Sequence, residues 1–87
     1  MILKKKDVAD NLLNYLHHKT SLNELVSWAE LMVMDAEFKS GEEKIIMETL
    51  SRIGIADVRQ FGLYWEDCET MMNNLGYKFQ INAIKAA

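Results

Sequence analysis

Between residues 22 and 38 the chain reads LNELVSWAELMVMDAEF, and its apolar positions repeat at a helical period on two sides at once. At about 100° per residue, Leu22, Leu25, Val26, Ala29, Met32, Val33 and Ala36 fall within an arc of roughly 120°. That arc is a core-facing stripe. Leu31, Met34 and Phe38 point almost the opposite way, with Trp28 between the two sets. A helix apolar on both sides is either enclosed by neighbours or carries a surface for another molecule.

The same period predicts helices on either side. Val8, Leu12, Leu13, Tyr15 and Leu16 recur at three and four after Asp7, which is placed to cap a first helix. His17, His18 and Lys19 fall in its last turn, where positive charge meets the negative end of the helix dipole. Ser21 and Glu24 then fit a reciprocal capping box, so the join to the second helix is very short and the two helices run antiparallel. A second box is expected at Ser40-Gly41-Glu42-Glu43. It opens a third helix over 41–53, with Ile45, Ile46, Leu50 and Ile53 on one face. Lys44–Glu48 and Glu48–Arg52 are spaced to pair across a turn on the other side.

Gly54 stands where a left-handed stop would end that helix, with Ile55 placed to touch Leu50. Residues 55–63 fit a strand and a helical turn equally well. A fourth helix over 65–75 puts Trp65, Cys68, Met71, Met72 and Leu75 on one face, while Glu66, Asp67 and Glu69 suit its first turn. Tyr64 is a poor cap for it. Gly76 ends the helix, and YKFQI then alternates as a half-buried strand over 77–81. A lone strand leaves its backbone unpaired, so it needs a partner, either residues 57–61 or Met1–Lys5. The expected fold is therefore mainly α: a single helical domain over 1–87, with a short C-terminal strand paired into a minimal sheet.

Composition narrows the function classes. Eighty-seven residues, 49% of them hydrophobic, allow one domain and one core. A single cysteine excludes an internal disulfide framework, and no apolar run approaches a membrane span. MILKKKD gives no secretory apolar segment at the start, so a bacterial cytoplasmic protein is expected. Net charge is −3 but uneven. Lys4, Lys5, Lys6 and Lys19 outweigh Asp7 and Asp10 in the first twenty residues. Over 21–48, seven acids face only Lys39 and Lys44, and the remainder balances. An acidic middle repels nucleic acid and attracts a basic partner, although solvated helix faces account for it more readily.

Little in the chain points to catalysis. Cys68 lies between Asp67 and Glu69, which weaken it as a nucleophile, and it shares the apolar face of the fourth helix. His17 and His18 point about 100° apart on a helix, so one metal cannot readily use both. Glu42-Glu43 and Glu66-Asp67 are adjacent, not facing, and each complements a helix dipole. The glycines form no phosphate loop. No catalytic residue, metal ligand, cofactor or small-molecule site is expected, and the chain reads as a non-enzyme.

The segments LLNYLHHKTSLNELVSWA and GLYWEDCETMMNNLGYKF resemble small bacterial helical proteins of uncharacterised function. The first also loosely resembles toxin-immunity proteins, in its Tyr-Leu helix end, tight polar turn and Ser-capped helix with Glu-Leu. That resemblance implies an acidic, stoichiometric inhibitor of a basic toxin and carries over no binding residue.

The leading expectation is a small protein-interaction module that binds a protein partner or itself. The alternative is a small nucleic-acid-associated regulator, which the net charge and the lack of a basic recognition helix oppose. If the second stripe is a partner surface, it comprises Glu30, Leu31, Met34, Asp35, Glu37 and Phe38. If it is core, Leu31, Met34 and Phe38 lie under the fourth helix or the C-terminal strand. The small size of the domain favours the core reading, because so few helices need nearly every large apolar side chain inside.

Overall fold

The computed structural model describes residues 2–58 and 62–79. In chain order it contains β1 (Ile2–Leu3), α1 (Lys5–Leu16), α2 (Leu22–Asp35), β2 (Glu37–Phe38), α3 (Glu43–Gly54) and α4 (Trp65–Asn74). The mainly helical expectation holds. The most extensive packing joins α2 to α3, α1 touches both, and α4 packs chiefly on α1.

Each helix presents one apolar side to a shared core. Val8, Ala9 and Leu12 come from α1; Leu25, Ala29 and Met32 from α2; Ile46, Leu50 and Ile53 from α3; Cys68, Met71 and Met72 from α4. Leu3 and Leu75 complete it. Burial of side chains of this size contributes about 1.5–3 kcal/mol apiece for the larger ones, and this outweighs the weak helix propensity of short segments. Thr49 is the buried polar residue on α3, and its hydroxyl donates to the Ile45 carbonyl at 2.7 Å.

Three helices begin with one device. The carboxylate of the third helical residue accepts the N–H of the residue before the helix: Asp7 from Lys4, Glu24 from Ser21, Asp67 from Tyr64. Only Ser21 completes the reciprocal bond, its hydroxyl accepting from Glu24 N–H at 3.1 Å. Asp7 is thus inside α1 and caps it from there. Asp67 also explains why Tyr64 can precede α4 without a capping side chain. The box expected at Ser40–Glu43 does not form: Glu43 accepts from Gly41 N–H, and Glu42 turns away to reach Lys5 N–H at 2.9 Å.

The helix ends divide differently from expectation. After α4, Gly76 has φ +97°, Tyr77 N–H bonds Met72 O and Gly76 N–H bonds Asn73 O, a complete left-handed stop. The same bond pair ends α1, but there His18 occupies the left-handed position at φ +60°. Gly54 is not left-handed; it is the last helical residue of α3, and the chain continues into turns at Ala56 and Val58. Of the strand and the helical turn that residues 55–63 fit equally, turns are found over 55–58, and residues 59–61 lie outside the described range.

The sheet is placed at the other end of the chain. β1 pairs in parallel with β2, Ile2 opposite Glu37 and Leu3 opposite Phe38, and Lys39 N–H extends the pairing to Leu3 O at 2.9 Å. Residues 77–79 form no strand; Phe79 instead stacks on Trp65 with ring centroids 4.8 Å apart, and residues 80–81 are outside the described range. α2 correspondingly ends at Asp35, with Ala36 extended, short of the end near Lys39 that the periodicity predicts. Continued as a helix, Phe38 would point outward beside Leu31. In a strand it turns onto the core instead, and that burial repays the broken helix.

Lys44–Glu48 and Glu48–Arg52 form no ion pair among the described residues; Arg52 reaches across to Asp67 at 3.1 Å and ties α3 to α4. No helix there is long and apolar enough to cross a membrane.

Candidate protein-binding surface

Among the described residues, nothing covers the outer side of α2. Leu31 is 51% exposed and Met34 80%, which overturns the expectation that both are core residues. The physical reason is the placement of α4, which packs on α1 and leaves that side of α2 open. Phe38 is half-buried and packed on the core, as the core reading expected of it. The second stripe therefore divides at Asp35: its helical members Leu31 and Met34 face out, and Phe38 turns in.

Val33 joins the exposed set, although its helical angle places it with the core stripe. It lies in the last turn of α2, beside α3. There Val33 and Met34 form one wall of a groove, Leu50, Ser51, Gly54 and Ile55 form the other, and Glu30 supplies a carboxylate on the rim. The groove is shallow and open to solvent, with a volume of about 450 Å³. Met47 and Val58, both partly exposed, extend the apolar material around α3. Glu30 and Asp35 are exposed on α2, and Glu37 is exposed in β2. The structure thus brings Glu30 and Met34 into one groove with Leu31 close by on the same helix, and separates Phe38 from them. Gly54 and Ile55, expected only as a helix stop, are groove residues that periodicity could not supply.

A larger cleft of about 620 Å³ lies between the α1–α2 turn and the start of α4, and the sequence reading missed it. Tyr15, His18, Glu24, Tyr64, Trp65 and Cys68 are among its lining residues. The adjacent exposed aromatics Tyr64 and Trp65 were its signal in the sequence; Trp65 is partly exposed, not the core residue expected. The cleft offers weak chemistry. Glu24 is committed to the Ser21 cap. The Cys68 thiol is 1% exposed and pushed up to about 11, first by burial and then by Asp67, with Arg52 opposing. A protonated, shielded thiol is a poor nucleophile.

A third cleft gathers Lys4, Lys5, Lys6 and Lys39 beside Leu75 and Tyr77. Its charge is partly answered from within. Lys6 pairs with Asp10 at 3.0 Å, a bond that raises the lysine pKa, and Lys39 approaches Glu42 at 3.5 Å. Among the described residues, no group of three or more His, Cys, Asp or Glu is arranged to hold a metal ion.

No protein-family model, curated protein or solved structure matches the chain.

Proposed function

We propose that this chain is a non-enzymatic protein-interaction module whose binding surface is the outer side of α2, with its acidic neighbours. The observation that carries the reading is Met34, a large apolar side chain left 80% exposed on a domain with few such residues to spare. Leu31, three residues earlier on the same side of α2, makes it a patch instead of a lone exception. Glu30, Asp35 and Glu37 give that patch a sign, and a basic partner is its electrostatic complement. An acidic immunity-type inhibitor of a basic toxin is one concrete form of this reading, and a bacterial cytoplasmic setting is proposed with it.

Site-specific photo-crosslinking in cells tests it. A photoreactive residue at Met34 should give one discrete protein adduct, and the same residue at the exposed Asn73 of α4 should give none. Absence of an adduct at Met34, or equal smears at both positions, would contradict the reading.

The lysine cleft favours a second reading, a nucleic-acid-associated regulator. Asp10 and Glu42 partly neutralise that cleft, and a net charge of −3 opposes the counterion-release term that drives such binding. Submicromolar affinity for duplex DNA at about 150 mM salt would favour it over the protein-binding reading.

A further inference from the structure

Gly54 is a glycine that the fold does not require. It is the last helical residue of α3, and its φ is not in the left-handed region that favours glycine. A Cβ built on it would meet nothing within 4 Å. Neither conformation nor internal packing accounts for it, and in a helix glycine is less favourable than alanine. What its missing side chain does leave is open space in the α2–α3 groove, between Leu50 and Ile55 on its own side and Val33 and Met34 opposite. Close approach of another backbone is the use that such a vacancy serves.

We infer that this groove receives a basic amphipathic helix of a partner protein, seated against Gly54. The inference rests on the protein-binding reading of α2 and names the partner's chemistry. A groove walled by aliphatic and thioether side chains between two helices suits apolar anchors at i, i+3, i+4 and i+7, and methionine adapts to their shapes. Charge selects the sign of the flanks. Glu30 is the charged residue lining the groove, and residues 21–48, which include α2, carry seven acids against Lys39 and Lys44. The basic residues of α3 are turned elsewhere or remote: Arg52 is bound to Asp67, and Lys44 lies roughly 15 Å along the helix from Gly54.

The test uses a matched pair of fluorescent, helix-stapled peptides with identical leucine anchors, flanked in one by lysine and arginine and in the other by glutamate. Anisotropy should show the basic peptide binding the full chain at least about tenfold more tightly. Gly54→Leu, which leaves every charge in place, should weaken that binding about tenfold or more. Gly54→Ala should weaken it severalfold while raising the melting temperature. Equal binding of the two peptides, no binding of either, or unaltered affinity in the Gly54 variants would overturn the inference. So would a Gly54→Leu chain that does not fold, since the space would then not be free. A dimer of the parent chain that Gly54→Leu splits would assign the groove to a second copy instead. The Met34 crosslink is independent of all these outcomes, so it can stand where the groove assignment fails.

Discussion

The carboxylate of Glu42, just before α3, accepts the backbone N–H of Lys5 at 2.9 Å and so caps α1 from the far side of the chain. The contact fixes the start of α1 against the β2–α3 connection, next to the two-residue sheet. The Lys5 N–H holds the Glu42 carboxyl below its ordinary 4.5; desolvation opposes this, and Lys39 adds to it.

A lowered acid pKa means that the folded state favours the charged form. The stability it contributes is complete above the unfolded value and is lost as pH falls through the folded one. Glu42→Gln should therefore melt below the parent at about pH 7, and the gap should close on acidification below about pH 4. Melting curves of both chains across that range check it, and a gap that widens on acidification would contradict it.

His18 occupies a position that the end of α1 forces into the left-handed region. Its Cβ is strained there, whereas glycine is not. His18→Gly should raise stability by about 0.5–1 kcal/mol, even after the greater freedom that glycine gives the unfolded chain. Denaturant titration would show a higher midpoint at unchanged slope. A lower midpoint would mean that the imidazole makes a stabilising contact outweighing the strain.

Cys68 is a core residue with a thiol. Cys68→Ser should destabilise the fold by about 1–3 kcal/mol by placing a hydroxyl among apolar neighbours. With its pKa pushed up to about 11, the native thiol should resist labelling at neutral pH until the chain unfolds. Rapid labelling of the folded protein would place the sulfur in the neighbouring cleft instead of the core.

Phe38 and Leu31, adjacent on a continued helix, should behave as different kinds of residue. Phe38→Ala should cost about 1–3 kcal/mol, less than a fully buried phenylalanine, because the ring is half-covered. Urea unfolding measures it. A cost near zero would mean that β2 does not seat the ring on the core.

The contrast between these two residues also marks how far the sequence could be read. All four helices were legible, because each carries its own period, even though the start box expected for α3 does not form and Tyr64 supplies no cap for α4. The Ser21–Glu24 box and the Gly76 stop were legible for the same reason: their partners lie within six residues. The β1–β2 pairing was not, since two residues at each end of a long connection carry no alternation to read. Glu42 was legible only as a complement to the dipole of α3, because the N–H it satisfies belongs to Lys5. The outward stripe of α2 was visible as Leu31 and Met34, but whether anything covered it depended on where α4 packs. The other wall of the groove, Gly54 and Ile55, came into view only once α2 and α3 were set side by side.

A partner surface on the outer side of α2 takes no part in holding the fold together. Replacing Leu31 and Met34 together by glutamine removes the apolar surface while leaving helix propensity and charge nearly unchanged. Exposed substitutions of this kind change stability by about 0.5 kcal/mol or less each, so the melting temperature of the double variant should stay within roughly 8 °C of the parent. Core residues would lose about 2–5 kcal/mol each. A fall of roughly 15 °C or more, or failure to fold, would return both side chains to the core and leave no surface for a partner.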